Sequence, residues 1–566
     1  MTRLRGTFLM LLFCLASVAV ALPRADDAPK KTSRPKLAVL LVFDQFRGDY
    51  LERWKDLYGE GGFKRLMADG AWFTNCHYPY SDTLTAPGHA SLATGSTPSR
   101  HGIIANDWYD RKKGDMTTSV DDEHFLLLPR PSTKVPGASP WRRREETLGD
   151  VLLNTRKKGK VASLSIKDRA AILMAALRAQ ICYWFSVYQG GFVTSTYYRD
   201  QPHNWVTSFN RAKPADRWVD ASWNLLRADL DYAKFSGPDD VAAEGVGYQQ
   251  GNTFPHRLAQ AKAKSDKEYY SAITNSPQGN ELLLEFAKRC IEAEKLGQGE
   301  DTDLLCLSFS CNDLIGHCWG PDSQEVLDVT LRSDRLVKEL LDFLDAKVGR
   351  DNYVIGMSAD HGVCPIPEVA AHEGKDAGRV APETLRAAAT EALQAAFGKD
   401  GPRLPWVEAG YGPWLYFNYA TLAEAKISAK QAEQVAAEAL AKVPGVQTVF
   451  TRSQIQDSAI KDNPLLDSLR LSFHPENSGD VMIIPRANYI VSYLFSSPKS
   501  LSSRTTHGSP HPYDTHVPLI VMGAGIRPGI HGERLVPQAL AAILAAALDL
   551  PSPSAAIAPV PAGVLR

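Results

Sequence analysis

Thr85 is the residue whose type and setting first point to chemistry. It precedes Ala-Pro-Gly-His, in which Pro87 and Gly88 predict a turn, and the next residues, HASLATG, predict a helix. A hydroxyl in front of a helix faces backbone N–H groups and the positive end of the helix dipole, which suit an oxygen that carries negative charge and meets a phosphate. Asn106 is a second polar residue that the same fold can bring to this place. An ordinary helix N-cap is the alternative, and Thr85 alone favours it.

Lys167 and Arg169 form a pair of cations at the end of a predicted strand, KVASLSIKDR. Alternate residues of an extended chain share a face, so we expect both cations to point one way and Asp168 the other. Two cations suit a doubly charged phosphoryl group, because arginine offers a planar fork and lysine a point charge. A solvated charge cluster is the alternative.

Carboxylates and imidazoles follow several apolar runs. LAVLLVF is followed by one carboxylate, DLLCLSF by a carboxylate and an imidazole at spacing i, i+4, and YVIGMS by an adjacent Asp-His pair. A histidine-rich segment, THGSPHPYDTHVP, precedes the last apolar run. The candidate metal ligands in these places are Asp44, Asp313, His317, Asp360, His361 and His507. His511 and His516 in the same segment are alternatives to His507.

Each of these side chains has an ordinary alternative as a helix cap, a turn residue or a packing histidine. Taken together, they favour a metal site, because carboxylate oxygens and imidazole nitrogens are the ligands of zinc. Six ligands suffice for two zinc ions with open positions. Two metals about 3.5–4 Å apart can clamp the attacking and leaving oxygens of a phosphoryl transfer.

The fold that must position these residues is predicted to be α/β. Continuous apolar runs are typical of parallel strands buried on both faces, and ligands bind at the carboxyl edge of such sheets. Helices are predicted near Glu60–Ala68 and over 324–345. We therefore expect a central, mostly parallel sheet that is flanked by helices, with the candidate residues along one edge.

The N-terminal residues predict export. Arg3 and Arg5 precede the apolar run FLMLLFCLASVAVA, and residues 19–21 fit a cleavage site for a signal peptide over 1–21. The run is too short to span a membrane comfortably, so we expect a periplasmic or secreted protein without a stable membrane anchor. A net charge of -1 gives no case for a nucleic-acid partner.

The remaining chain is divided by composition. We expect a linker over 22–35, a first part of the core over 36–364 with an elaboration at about 183–300, an inserted αβ cap over 365–500, the last part of the core over 501–550 and a loose Pro/Ala-rich tail over 551–566. Two Ala-rich helices are predicted in the cap, over 382–397 and 429–443, and two strands, WLYFN and VQTVF. After cleavage seven cysteines remain, an odd number, and we expect them to be buried or locally bridged.

The motifs, taken in order, resemble the alkaline phosphatase superfamily. They are VFDQFRGDYL, TAPGHASLATGSTPSRHGIIANDW, SIKDR, NDLIGHCWGPDS, SADHGV and THGSPHPYDTHVP. The chain is most similar to the phosphate-irrepressible periplasmic alkaline phosphatases, which use a threonine nucleophile and are related to nucleotide pyrophosphatase/phosphodiesterases. The resemblance implies an alkaline-phosphatase-like sandwich around the central sheet.

The resemblance also implies roles for the candidate residues. One zinc would be held by Asp44, Asp360 and His361 beside Thr85, and the other by Asp313, His317 and His507. Asn106, Lys167 and Arg169 would bind the phosphoryl oxygens. Because the cationic pair would replace the arginine and magnesium of the serine enzymes in the superfamily, no third metal is expected. The Asp-Ser-Ala sequence at 457–459 imitates the nucleophile of those serine enzymes but is expected to be a loop.

The function implied is hydrolysis of phosphate monoesters through a covalent phospho-threonine, with two zinc ions per chain. The partners would be small-molecule phosphate esters, with no nucleic acid. A nucleotide pyrophosphatase/phosphodiesterase is the first alternative, and a non-catalytic exported metal-binding protein is the second.

Overall fold

The computed structural model describes residues 2, 34–131, 135–258, 266–398, 405–492 and 503–566. The signal peptide predicted over 1–21, except residue 2, and most of the linker predicted over 22–35 lie outside the described residues. Among the residues described, no helix is both long and apolar enough to pass through a membrane.

A sheet of 11 strands forms the centre of the fold. In spatial order its strands are Gly529–His531, Gly70–Phe73, Leu519–Gly523, Tyr353–Ser358, Leu37–Phe43, Asp303–Phe309, Val161–Ser165, Ile181–Ser186, Gly191–Ser195, Asp121–Leu128 and Pro136–Ala138. Leu37–Phe43 lies between two parallel neighbours and every one of its residues is buried, as the continuous apolar run predicted. The predicted α/β class is confirmed.

The sheet is mixed rather than mostly parallel, which corrects the expectation from sequence. The five adjacent strands from Tyr353–Ser358 to Ile181–Ser186 are parallel. Leu519–Gly523 runs antiparallel to both of its neighbours, and the strands beyond Ile181–Ser186 are antiparallel as well. Parallel pairing therefore holds where helical crossovers join the strands, and hairpins and returning segments reverse the direction at the two sides.

Helices cover the sheet and fill the connections. Their bounds up to the middle of the chain are Tyr50–Arg53, Phe63–Asp69, Thr85–Thr94, Pro98–His101, Leu148–Thr155, Asp168–Met174, Asn204–Arg211, Ala233–Ser236, Lys267–Thr274, Pro277–Glu294, Cys311–Trp319 and Gln324–Lys347. Later helices are Pro367–His372, Pro382–Phe397, Tyr419–Glu424, Ala429–Leu440, Arg452–Gln456, Pro464–Ser472, Pro512–Thr515 and Ala539–Ala547. Short 3-10 helices occupy Lys55–Leu57, Pro214–Trp218 and Arg350–Asn352. The helix predicted near Glu60 begins at Phe63, and the one predicted from 324 runs to Lys347.

Part of the expected cap forms a separate antiparallel sheet. Its four strands, in spatial order, are Val407–Tyr411, Trp414–Phe417, Val481–Pro485 and Val446–Thr451. The helices Pro382–Phe397 and Ala429–Leu440 pack on it around their own apolar core, which includes Leu385, Phe417 and Ile483. The predicted helices and strands of this segment are therefore confirmed, and we call residues 382–491 the cap module.

Two-stranded sheets complete the described elements. They pair Asp107–Asp110 with Asp115–Thr118, Ser222–Trp223 with His256–Arg257, and Gly378–Val380 with Tyr489–Val491. The segment expected to elaborate the core from about 183 begins differently, because Ile181–Ser186 and Gly191–Ser195 are strands of the central sheet. Several aromatic side chains of that segment, including Tyr183, Phe192 and Trp223, are buried.

The C-terminal residues also differ from expectation. Residues 551–566 were expected to be loose, but Ala555 and Val564 are fully buried. The backbone N–H of Arg527 donates to Val564, and that of Ile557 donates to Gly95. The seven cysteines in the described part of the chain are free thiols, and six of them are buried.

Candidate metal centre and active site

Three carboxylates meet beyond the carboxyl ends of three adjacent parallel strands. Asp44 follows Leu37–Phe43 directly, Asp360 follows Tyr353–Ser358 by two residues, and Asp313 lies in the first turn of the helix Cys311–Trp319. All three are almost completely buried. Lys167 lies among them, with Nζ 2.8 Å from Asp44 Oδ2 and 2.5 Å from Asp313 Oδ2.

The charge of this cluster is not balanced by Lys167 alone. Burial, together with the charges of Asp313 and Asp360, raises the pKa of Asp44 well above its ordinary value. Oδ1 of Asp44 accepts no hydrogen bond from the described residues, whereas Oδ2 of Asp44 lies beside Lys167 and Oδ2 of Asp360 beside His89. Buried, unsatisfied carboxylate oxygens are costly, so the cluster suits bound cations.

Three histidines surround the carboxylates with their Nε2 atoms facing inward. His317 Nε2 lies 3.2 Å and His507 Nε2 lies 3.6 Å from Asp313 Oδ1, and His361 Nε2 lies 3.3 Å from Asp360 Oδ2. Their Nδ1 atoms lie 2.7–2.8 Å from the backbone carbonyls of residues 505, 83 and 362, respectively. Since a carbonyl only accepts, Nδ1 carries the proton and Nε2 is left as a lone-pair donor, which is the arrangement of metal-binding histidines.

The donors fall into groups that could hold metal ions. One group contains Asp313, His317 and His507; a second contains Asp44, Asp313 and His361; a third contains Asp44, His89 and Asp360. The first group coincides with one predicted ligand set. For the other predicted set, His361 Nε2 also lies 3.6 Å from Asp44 Oδ1. Oxygen and imidazole donors at these separations fit divalent transition metals.

Thr85 begins the helix Thr85–Thr94 instead of preceding it. The helix was expected to start after Gly88, but proline is tolerated in a first turn, so the helix includes Pro87. Thr85 is buried, and its Oγ1 lies 3.3 Å from His361 Nε2. The hydroxyl is therefore at the positive end of the helix and beside the metal-ligand cluster.

Gly88 explains how the helix approaches the cluster so closely. A Cβ at this position would lie 2.3 Å from the backbone oxygen of Asp360. Only glycine permits this contact, so the glycine of the Ala-Pro-Gly-His motif brings Thr85 and Asp360 together.

Asn106 is also next to the start of this helix. Its Oδ1 accepts a 2.9 Å hydrogen bond from the backbone N–H of Ala86. The carbonyl side of the amide is thereby fixed, and the NH₂ group is the side that can donate to a ligand beside Thr85.

The cationic pair lies on a different local structure from the one predicted. The strand ends at Ser165, Lys167 is the N-cap of the helix Asp168–Met174, and Arg169 is its second residue. The expectation of alternate residues in an extended chain was wrong. Burial lowers the pKa of the Arg169 guanidinium, but the charges of Asp168, Asp44 and Asp313 outweigh burial and raise it.

The other histidines of the last motif are outside the cluster. His511 Nε2 lies 2.9 Å from the backbone oxygen of Pro485, and His516 stacks on His77 with ring centroids 4.6 Å apart. The structure therefore brings His507, and neither alternative, to Asp313. The Asp-Ser-Ala sequence at 457–459 is an exposed segment after the helix Arg452–Gln456, as expected for a loop.

Sequence reasoning missed His89 and Gln45. His89 Nδ1 lies 2.8 Å from the backbone oxygen of Thr85 and 3.2 Å from Asp360 Oδ2. Gln45, with a φ of 61°, donates through Nε2 to Asp313 Oδ1 at 2.7 Å and through its backbone N–H to Asp360. The i, i+4 spacing of Thr85 and His89 could have revealed His89, whereas no sequence pattern pointed to Gln45.

Ser96 begins a Ser-x-Pro-x-Arg pattern, which is typical of sulfatase nucleophiles. It lies beyond the C-terminal end of the helix that Thr85 begins, and its backbone N–H donates to Thr94 Oγ1. Because Thr85 touches the ligand cluster through His361, the geometry favours Thr85 as the reactive hydroxyl.

The fold and this site define a phosphoric ester hydrolase. The model of the type I phosphodiesterase / nucleotide pyrophosphatase family matches residues 38–513, and the chain belongs to this family. It is 35% identical to alkaline phosphatase PafA of Elizabethkingia meningoseptica over 93% of each chain, and 32% identical to alkaline phosphatase PhoV of Synechococcus elongatus over 99% of this chain and 98% of PhoV. The crystal structure of wild-type PafA superimposes with a TM-score of 0.85 at 32% identity, covering 94% of this chain and 99% of that one. The resemblance to alkaline phosphatases is thus confirmed.

Proposed function

We propose that this protein is an exported, zinc-dependent alkaline phosphatase that hydrolyses small-molecule phosphate monoesters through a phospho-threonine. The observation that carries the proposal is the position of Thr85, whose Oγ1 lies 3.3 Å from His361 Nε2 at the N-terminal end of a helix. The names of PafA and PhoV support the activity. The pattern of residues 1–21 supports export.

Two ligand sets fit two zinc ions. Asp44, Asp360 and His361 would hold one beside Thr85, and the other would be held by Asp313, His317 and His507. Bound zinc supplies Lewis acidity, which lowers the pKa of a neighbouring hydroxyl and neutralises charge on the leaving oxygen. The buried and unsatisfied Oδ1 of Asp44 supports this assignment.

The reaction follows from the placement of the protein's own groups. Thr85 Oγ1 attacks phosphorus in line, a Thr–O–P bond forms and the bond from phosphorus to the ester oxygen breaks. The NH₂ group of Asn106 and the side chains of Lys167 and Arg169 bind the remaining phosphoryl oxygens and neutralise their charge. Water then attacks phosphorus, which releases phosphate and restores the Thr85 hydroxyl.

A nucleotide pyrophosphatase/phosphodiesterase is the second candidate, and the family that the chain belongs to favours it. A diester carries one negative charge at phosphorus, whereas a monoester carries two. Two cations that bind the phosphoryl oxygens would therefore favour the monoester. The two candidate functions would share the nucleophile and differ in how well the substrate's charge matches the two cations Lys167 and Arg169.

The test is kcat/KM of the zinc-reconstituted protein at alkaline pH for p-nitrophenyl phosphate and for its methyl diester. We expect a strong preference for the monoester, and a preference for the diester would favour the second candidate. Mass spectrometry of acid-quenched enzyme should locate phosphate on Thr85. Thr85→Ala should lose turnover while zinc content, measured by plasma mass spectrometry, stays unchanged. Full activity of Thr85→Ala would remove this residue from its role, and the absence of turnover with both substrates would leave a metal-binding protein.

A further inference from the structure

A cavity of about 140 Å³ lies beside His507, on the side of the cap module. Its walls include Leu84, Tyr411, Val491 and His507. Leu84 directly precedes Thr85, and Tyr411 and Val491 belong to strands of the cap module. The cavity is therefore built between the candidate active site and the cap module.

The position of the cavity relates it to the reacting groups. His507 belongs to the ligand group with Asp313 and His317, and Nε2 of His507 is 3.6 Å from Asp313 Oδ1. On another wall, the Tyr411 hydroxyl donates a 2.9 Å hydrogen bond to Asp107 Oδ2, and Asp107 follows Asn106 in the chain. A substituent in the cavity would thus lie between a metal-ligand group and the residues expected to bind phosphoryl oxygens.

The size and lining of the cavity limit what it can take. A cavity of about 150 Å³ lined by apolar side chains is known to hold one benzene molecule. The present cavity is of that size, and Leu84, Val491 and the ring of Tyr411 give it apolar walls beside the polar side chains of Thr506, Ser509 and Asp514. Because the Tyr411 hydroxyl is directed to Asp107, the ring is the part of this side chain that remains for contact. One aromatic ring therefore fits against these apolar walls.

We propose that this cavity is a leaving-group subsite that takes the aromatic ring of an aryl phosphate monoester. The inference rests on the proposed function and names a substrate class for it. It gives the cap module a task, because Tyr411 and Val491 supply two of the walls. The ring of the leaving group would enter the cavity while its ester oxygen stays near the ligand group of His507.

The experiment compares binding of phenylphosphonate and methylphosphonate to the zinc-loaded protein by isothermal titration calorimetry. Both are non-hydrolysable and carry the same phosphonate group, so the ratio of their Kd values isolates the ring. We expect phenylphosphonate to bind on the order of tenfold more tightly, as burial of a ring predicts. Val491→Trp should fill the cavity and abolish this ratio while the Kd of methylphosphonate is unchanged. Val135→Trp, a substitution of an exposed valine directly before the edge strand Pro136–Ala138, is the matched control and should keep the ratio.

A second variant covers failure of Val491→Trp to fold, which thermal melting would reveal. Val491→Ala enlarges the cavity, and 1-naphthylphosphonate should then gain affinity relative to phenylphosphonate. Equal Kd values of phenylphosphonate and methylphosphonate in the unchanged protein would overturn the subsite. An equal loss of affinity for both ligands in Val491→Trp would overturn it as well. If neither phosphonate binds, the proposed function and the subsite are overturned together. If methylphosphonate binds and phenylphosphonate binds no more tightly, only the subsite is rejected.

Discussion

Nε1 of Trp414, in the cap module, donates a 2.8 Å hydrogen bond to Oδ2 of Asp82, three residues before Thr85. The backbone N–H groups of Ser81 and Asp82 both donate to Ser472 Oγ, at 3.0 Å each. The loop that leads into Thr85 is therefore hydrogen-bonded to the cap module. This contact joins residues 332 positions apart in the chain.

We predict that Trp414→Phe lowers kcat/KM on the order of tenfold. The change leaves Asp82 buried without its donor, which costs about 1–3 kcal/mol and lets the loop before Thr85 shift. Steady-state kinetics and urea unfolding measure the two effects. Trp141→Phe is the control, because Trp141 is 56% exposed. A variant that is destabilised but fully active under folded conditions would show that the contact serves stability alone.

Asp82 also predicts a pH dependence of stability. Burial raises the pKa of Asp82 to about 7, although the bond from Trp414 lowers it. The folded protein then holds a proton that the unfolded chain releases near pH 4, so the free energy of unfolding falls as pH rises from about 4 to about 7. The upper limit of this loss is about 4 kcal/mol. Asp82→Asn should remove that part of the pH dependence and be more stable than the unchanged protein at pH 8, as measured by urea unfolding at pH 5 and pH 8. The same change in the free energy of unfolding between pH 5 and pH 8 in both proteins would contradict this prediction.

Much of the fold could be predicted from residue patterns. Apolar runs identified the parallel strands at the middle of the sheet, and the rule that ligands lie at carboxyl edges was enough to place Asp44 and Asp360 together. Helical spacing gave Asp313 and His317 a common face. These inferences depend on local geometry, which a sequence specifies well.

Other features depend on contacts between distant segments. The antiparallel strand Leu519–Gly523 and the packed C-terminal residues have no local pattern that separates them from parallel strands and loose tails. Lys167 and Arg169 lie at the start of a helix rather than at the end of a strand, and Lys167 contacts the carboxylates of Asp44 and Asp313 from that position. The choice of His507 over His511 likewise required the packing of residues around Thr83.

The cationic pair is predicted to select monoesters. Lys167→Ala together with Arg169→Ala should lower kcat/KM for p-nitrophenyl phosphate more than about a hundredfold, because two charges that neutralise the phosphoryl oxygens are lost. Turnover of the methyl diester should fall far less, since it presents one charge. Arg178→Ala is a matched control, because this arginine is exposed and bonds to Asn154. Equal losses for both substrates would count against selection by charge.

The histidines of the last motif should differ in metal binding. His507→Ala is predicted to reduce zinc from about two ions per chain to about one and to abolish turnover, because His507 belongs to a ligand group with Asp313 and His317. His511→Ala should keep both ions, since His511 bonds to the backbone of Pro485 instead. Plasma mass spectrometry after dialysis gives the number of zinc ions per protein chain. Loss of one ion from His511→Ala, or none from His507→Ala, would reverse the assignment.

Gly88→Ala should disturb the positions of Thr85 and Asp360, because Gly88 lies in the helix that Thr85 begins. Alanine is intrinsically better than glycine in a helix by about 0.5–1 kcal/mol, so any loss must come from contact. The added Cβ would lie 2.3 Å from the backbone oxygen of Asp360, and neither backbone can yield without moving Thr85 or a metal ligand. We expect a loss of stability of about 2 kcal/mol, weaker zinc binding and at least about a hundredfold lower kcat. Gly532→Ala is the control, since its Cβ would meet nothing within 4 Å. If Gly88→Ala is as stable and as active as Gly532→Ala, the close approach of the helix to Asp360 is not what fixes Thr85.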